Sequence, residues 1–259
     1  MTAIEKPHTV APCLLVENAG KHFGGLKAVD GVSFAIADGE LAAIIGPNGA
    51  GKTTMFNLIA GAFPLTCGSV TFHGTPVRSS LAACRLGIAR TFQNVRLFPE
   101  MTVLENVLVG MGGAGFLAAS LRLPPLLHAE RLRMKRAFYL LEDVGMSHLA
   151  EARAGDIPFG QQRLLEIARA LAVEPKLLLL DEPAAGLNRT ETAGLASLIR
   201  RIHDRGITIL LVEHDMHLVM NLVEHVIVLD GGRKIADGPP AEVREDAAVC
   251  AAYLGAAPC

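Results

Sequence analysis

The residues Gly46-Pro47-Asn48-Gly49-Ala50-Gly51-Lys52-Thr53-Thr54 carry the strongest chemical signal in the chain. They meet the pattern G-x-x-x-x-G-K-[ST] at each of its fixed positions. A polyphosphate is strongly anionic and needs several donors at once. Glycines let the backbone turn its N–H groups inward. A helix beginning at Lys52 adds the positive end of its dipole. Lys52 then reaches the β- and γ-phosphates, and the Thr53 hydroxyl suits Mg2+. A glycine-rich turn without a ligand is the alternative. Context disfavours it, because the apolar run Leu41–Ile45 stops directly before Gly46 and the spacing of Met55, Leu58 and Ile59 after it is helical.

A second cluster is Leu177-Leu178-Leu179-Leu180-Asp181-Glu182-Pro183, an apolar strand that ends in two acids. The C-terminal ends of strands in a parallel sheet face the ligand crevice. Asp181 at such an end can hold the shell of a Mg2+ ion, and Glu182 beyond it can orient or deprotonate an attacking water. Taken alone, the pair could be a charged cap on a buried strand. Together with a phosphate loop, it reads as the metal and water side of a nucleotide site.

These clusters need elements to hold them. Cys13–Glu17 and Val32–Ile36 read as strands around the pair Gly24–Gly25, and Ser69–Phe72 alternates like a half-exposed strand. Lys52–Ala60 reads as a helix. From Leu81 to Ala154, leucine, alanine and arginine dominate. This stretch reads as helical, broken at Gly112–Gly115 and Pro124–Pro125. The continuous apolar runs Leu177–Leu180, Ile207–Val212 and Val226–Leu229 are the mark of strands covered on both faces. Strands alternating with helices imply a mostly parallel sheet with crossover helices.

Composition narrows the class. The 259 residues are 51 % hydrophobic and 19 % charged, with a net charge of −2. This is globular composition, and no overall field marks a nucleic-acid binder. The five cysteines, Cys13, Cys67, Cys84, Cys250 and Cys259, form no C-x-x-C pair. That argues against a zinc ribbon or dithiol centre and fits a reducing compartment. His214 and His217 lack a third ligand nearby, so a metal site there is disfavoured. The N-terminus lacks a secretory pattern, and no apolar stretch is long enough to span a bilayer. The run Arg131–Arg136 reads as one solvated helix face.

The two chemical clusters, with what lies between them, resemble the ATP-binding subunits of ABC transporters over nearly the whole chain. TFQNVRLF supplies Gln93, similar to the glutamine loop that senses the γ-phosphate and contacts the membrane subunit. FGQQRLLEIARAL, from Phe159 to Leu171, resembles the signature and its helix, with Gly160 and Gln161 toward nucleotide. Ala184–Asn188 resembles the D-loop, His214 the switch histidine, and Phe23 the aromatic that stacks on adenine. The resemblance implies a P-loop α/β fold with a mostly parallel core sheet, an antiparallel N-terminal β-subdomain and a helical insertion. The chain then forms one ATPase domain: core over about 13–80 and 156–240, helical subdomain over about 81–155, and a tail over 241–259. It also implies ATP and Mg2+ as cofactors. Lys52, Gln93, Glu182 and His214 are its catalytic group, and Thr53, Gln93 and Asp181 surround the metal.

The usual signature is L-S-G-G-Q, whereas this chain has Ile157-Pro158-Phe159-Gly160-Gln161. The serine hydroxyl is gone, and Pro158 has no N–H to donate. An asymmetric heterodimer with one stronger site is the expectation. That departure, with DEPAAGLNRTET, EHDMHLVM and the C-terminal DGPPAEVREDAAVCAAYLG, resembles one subunit of high-affinity branched-chain amino acid importers. Such a system pairs two different ATPase subunits with two transmembrane permease subunits and, indirectly, an external substrate-binding protein. It implies a bacterial chain at the cytoplasmic face of the inner membrane, with no nucleic-acid partner. The apolar segment Met111–Leu126 is a candidate for the permease contact. The alternatives are another cargo (urea, short amides or exported lipid), a soluble ABC ATPase outside transport, and a nucleotide-binding scaffold without hydrolysis.

Overall fold

The computed structural model describes residues 12–93, 95–112 and 124–254. Two long strands open it, β1 (Pro12–Phe23) and β2 (Leu26–Ala37), paired antiparallel from Pro12↔Ala37 to Phe23↔Leu26. Gly24 turns the hairpin with φ 58°, a conformation glycine adopts at little cost. Strands β4 (Cys67–Phe72) and β5 (Thr75–Pro76) complete a four-stranded sheet in the order β2-β1-β4-β5. This is the expected antiparallel subdomain.

The second sheet positions the chemistry. It contains β3 (Leu41–Ile45), β6 (Ile88–Arg90), β7 (Leu177–Asp181), β8 (Thr208–Val212), β9 (His225–Asp230) and β10 (Arg233–Gly238), in the order β10-β9-β3-β8-β7-β6. Pairing is parallel from β9 to β6, and β10 adds an antiparallel edge. Every residue of β3, β7 and β8 is buried. Side chains alternate between faces, so each apolar run feeds two cores. Ile45, Leu178, Leu180 and Leu211 enter one core, while Ile44, Leu177, Leu179 and Leu210 enter the other. The second core also holds Met55, Phe56, Leu58 and Ile59 of helix α1 (Lys52–Ile59) and the inner faces of β1, β2 and β4.

The first core is roofed by α3 (Val103–Gly110), α4 (Pro124–Asp143) and α5 (Phe159–Leu171). A capping box between Thr102 and Glu105 starts α3, each side chain bonding the other's backbone N–H. Pro124 and Pro125, expected as a break, begin α4, where a missing N–H breaks no helical bond. The helical reading of 81–154 needs one correction. Helix α2 (Ser80–Leu86) is followed by β6, which pairs with β7 and belongs to the core sheet. A three-residue edge strand is too short to show periodicity. Most of the apolar segment Met111–Leu126 lies outside the described residues. Within the 131–136 run, Arg131 and Lys135 are exposed, whereas Arg133 and Arg136 are half-buried and Arg133 donates to the carbonyls of Leu108 and Gly112, so the run is not one solvated face. Helices α6 (Arg189–His203), α7 (Met216–Leu222), α8 (Pro240–Glu245) and α9 (Ala247–Leu254) complete the described chain.

Candidate functional site

The loop from Gly46 to Gly51 joins β3 to α1 and turns where only glycine fits. At Gly46, φ is 151° and an added Cβ would stand 2.0 Å from the Leu229 carbonyl oxygen. At Gly51, φ is 97° and the Cβ would meet the Ala28 carbonyl at 2.4 Å. Helix α1 has no side-chain cap and no acid in its first turn, so its positive end is left for an anion. Lys52 is 7 % exposed, and its Nζ donates to the carbonyls of Gly46 (2.7 Å) and Pro47 (3.0 Å). Burial pushes its pKa down, opposed by the charge of Glu182. Asn48, Gly49 and Thr53 are exposed, Pro47 and Thr54 half-buried, and Ala50 buried.

Asp181 and Glu182 stand where β7 leaves the sheet. Asp181 is 2 % exposed. Its Oδ2 lies 3.2 Å from Arg90 Nη2, and Arg90 Nη1 donates to Asn57 at 2.7 Å. Burial raises the pKa of Asp181 and lowers that of Arg90, and each charge opposes the shift of the other. Oδ1 of Asp181 is buried with no hydrogen-bond partner. A buried carboxylate oxygen without a donor suits a cation or its water shell, so this group fits the implied Mg2+ with Thr53. Glu182 has φ 45°, a left-handed conformation uncommon for a residue with a Cβ and typical of functional turns. Its N–H bonds the Val212 carbonyl at 2.9 Å, and its Oε2 accepts from Gln93 Nε2 at 3.0 Å.

Gln93 is held by groups absent from the sequence reading. Arg163 of α5 is 1 % exposed and donates to the carbonyls of Phe92 (2.8 Å) and Gln93 (2.9 Å). Glu166 accepts from Arg163 at 3.1 Å and from the Phe92 N–H at 3.1 Å. Burial raises the Glu166 pKa, opposed first by the Phe92 bond and then by Arg163. Helix α5 therefore grips the backbone that carries Gln93. Glu213, at the end of β8, is another missed residue. It is fully buried, and its carboxylate accepts from Ala184 N (2.8 Å) and His214 N (3.2 Å). Burial raises its pKa, countered by those bonds. It ties the backbone of Ala184 to that of His214, whose side chain is exposed.

Lys52, Gln93, Asp181 and Glu182 thus come together at one end of the sheet. His214 follows β8, whose Val212 carbonyl takes the Glu182 N–H, and its own N–H bonds Glu213. Phe23 stands apart on the β1–β2 hairpin, 46 % exposed and edge-on to Phe63 at 5.7 Å. Lys21 Nζ lies 5.1 Å above its ring. Gly160 and Gln161 open α5 without a side-chain cap. A Cβ at Gly160 would meet Glu191 Oε1 at 2.8 Å, and one at Gly186 of the D-loop would meet the Phe159 ring at 3.0 Å. Gln161 has a buried Oε1 without a partner. Within one chain this segment packs on the D-loop side, away from Gln93 and Glu182 as hydrogen-bond partners. Among the described residues, no cluster of His, Cys, Asp and Glu could hold a metal by itself, and no helix is long and apolar enough to cross a membrane.

Known proteins resemble this chain in sequence and fold. A family model described as "ABC transporter" matches residues 29–185, and one described as "Branched-chain amino acid ATP-binding cassette transporter" matches 233–258. The chain is 43 % identical over 252 residues to the high-affinity branched-chain amino acid transport ATP-binding protein BraF of Pseudomonas aeruginosa, covering 95 % of this chain and 99 % of that one. It is 42 % identical over 255 residues to the protein of the same description, LivG, of Salmonella typhimurium, with the same coverage. Among solved structures, a nucleotide-free ATP-binding cassette from an ABC transporter is similar with a TM-score of 0.82 and 34 % identity, covering 94 % of this chain and 99 % of that one. An ADP-conformation cassette of an ABC transporter is similar at a TM-score of 0.81 and 34 % identity, with the same coverage. With the loop of residues 46–54, the paired acids and Gln93 assembled at one end of the parallel sheet, the chain belongs to the ABC transporter family as one of its ATP-binding cassettes.

Proposed function

We propose that this cassette hydrolyses ATP to drive import of branched-chain amino acids through membrane-spanning permease subunits, working at the cytoplasmic face of a bacterial inner membrane. The observation that carries the chemistry is the convergence of Lys52, Asp181, Glu182 and Gln93. The cargo is supported by the match of both core and C-terminal segment to branched-chain amino acid cassettes.

Lys52 and the amides of residues 46–54 bind the phosphates. Thr53 and Asp181, with Gln93, would hold Mg2+, which neutralises phosphate charge when bound. Glu182 orients water and takes its proton, while Gln93 and His214 address the γ-phosphate. Phe23 offers its exposed ring to the adenine. Gly160 and Gln161, turned away from this cluster, face the nucleotide of a second cassette. The missing signature serine favours a non-identical partner and unequal sites. Equal turnover at both sites of the purified assembly contradicts that part.

A groove of about 520 Å³ beside the glutamine loop supports the permease contact. Phe92, Arg96, Phe98, Val109, Arg169 and Val173 line it, and Phe98, Val109 and Val173 are exposed. Phe98→Glu is expected to abolish co-purification with the permease while leaving ATP binding unchanged. The reading as a whole is tested by labelled leucine uptake in cells carrying the chain with its permease and binding protein. Uptake that continues with Glu182→Gln contradicts it.

A further inference from the structure

A strap of residues 62–66 joins the far end of α1 to the strand that carries Phe23. Its start is fixed to the helix. Ala62 N donates to the Asn57 carbonyl at 2.8 Å, and Phe63 N to the same oxygen at 3.3 Å. Leu65 packs against the core that contains Met55, Phe56 and Ile59 of α1. The strap is also fixed to β1. Thr66 N donates to the Gly20 carbonyl at 2.8 Å, and Thr66 Oγ1 accepts from His22 N at 3.0 Å. Lys21 Nζ donates to the Pro64 carbonyl at 2.8 Å. Two rings meet across this joint. Phe63 and Phe23 stand 5.7 Å apart with their planes at 82°. The Lys21 ammonium lies over both, 5.1 Å from the Phe23 centroid and 5.9 Å from that of Phe63. An exposed phenylalanine ordinarily changes rotamer freely. A perpendicular ring and a cation over the π face hold this one in a single orientation. Phe23 nevertheless remains 46 % exposed, so a surface of the ring stays open.

We propose that Lys21 and Phe63 are positioning residues for the nucleotide base. They set the Phe23 ring before the base arrives, so that its ordering cost is not drawn from the binding energy. Because α1 begins at Lys52 and the strap follows its end, the ring is placed relative to the loop that takes the phosphates. The inference rests on the reading of Phe23 as the ring that stacks on adenine, and it deepens that reading by naming what sets the ring.

Phe63→Leu keeps an apolar side chain without a ring, Phe63→Tyr keeps the ring, and Lys21→Met keeps the stem without the charge. These variants, Phe23→Leu and the unmodified full chain are titrated with ATP and, separately, with inorganic tripolyphosphate, both with Mg2+. Phe63→Leu and Lys21→Met are expected to bind ATP about two- to ten-fold more weakly, and Phe63→Tyr as tightly as the unmodified chain. In steady-state phosphate release the loss falls on KM rather than on kcat. Affinity for tripolyphosphate, which carries no base, is the same throughout. Adding Phe63→Leu to Phe23→Leu causes no further loss, because both act through one ring. Unchanged ATP affinity in either Phe63→Leu or Lys21→Met overturns the proposal. So does an equal loss for ATP and tripolyphosphate, which marks a merely structural strap. If Phe23→Leu itself binds ATP as the unmodified chain does, the reading of Phe23 falls and this inference with it.

Discussion

Gln93 Nε2 donates to Glu182 Oε2 across 3.0 Å, joining the loop after β6 to the end of β7. The proposed γ-phosphate sensor and the proposed base therefore share one hydrogen bond, and both sit on strongly held backbone. Glu182→Gln preserves the shape and removes the base. Steady-state phosphate release is expected to fall by about 100-fold or more while ATP binding persists. A malachite-green assay beside a nucleotide-binding titration separates the two.

Arg90 supplies the only hydrogen bond to a side-chain oxygen of Asp181 among the described residues. Arg90→Met leaves that carboxylate buried and unpaired. A loss of about 3 kcal/mol in unfolding free energy is expected in urea titration. Adding Asp181→Asn should recover a large part of it, because the uncompensated charge is then gone. A single variant as stable as the parent contradicts the pairing.

His225 bridges two acids, with Nδ1 2.7 Å from Glu40 Oε1 and Nε2 2.6 Å from Asp237 Oδ1. The hydrogen bond to Asp237, then that to Glu40, raises its pKa to about 9. A raised folded pKa means the contribution is complete below the unfolded value near 6.5 and is lost as pH rises through about 9. Urea midpoints at pH 6 and pH 9.5 check this. The unmodified chain should exceed His225→Gln at the lower pH, and the gap should close at the higher one.

Much of this was legible in the sequence, for physical reasons. A phosphate loop needs small residues and a lysine at a set spacing, so it leaves a pattern. Strands such as Leu177–Leu180 are buried on both faces and read as unbroken apolar runs. Edge elements leave weaker traces. Ile88–Arg90 is too short for periodicity, and Arg233–Gly238 carries charge on an exposed antiparallel edge. Arg163 and Glu166 were hidden for another reason. At i,i+3 spacing on a helix they read as a solvated pair, yet each is 1 % exposed. Only the fold reveals that they bond the backbone of residues 92 and 93. Glu213 was overshadowed by His214, because its role is to tie backbone groups that are distant in sequence. RTFQ, which carries Arg90 and Gln93 together, was the available signal for Arg90.

The central claim is that residues 46–54 grip a nucleotide's phosphates through Lys52. Lys52→Ala removes the one cation that the loop buries, and it is compared with the unmodified chain by calorimetric ATP titration and phosphate release. The account predicts that binding weakens by at least about 100-fold, as for loss of a charge-assisted contact in a buried site, and that hydrolysis ceases. ATP affinity and phosphate release equal to those of the unmodified chain would contradict it.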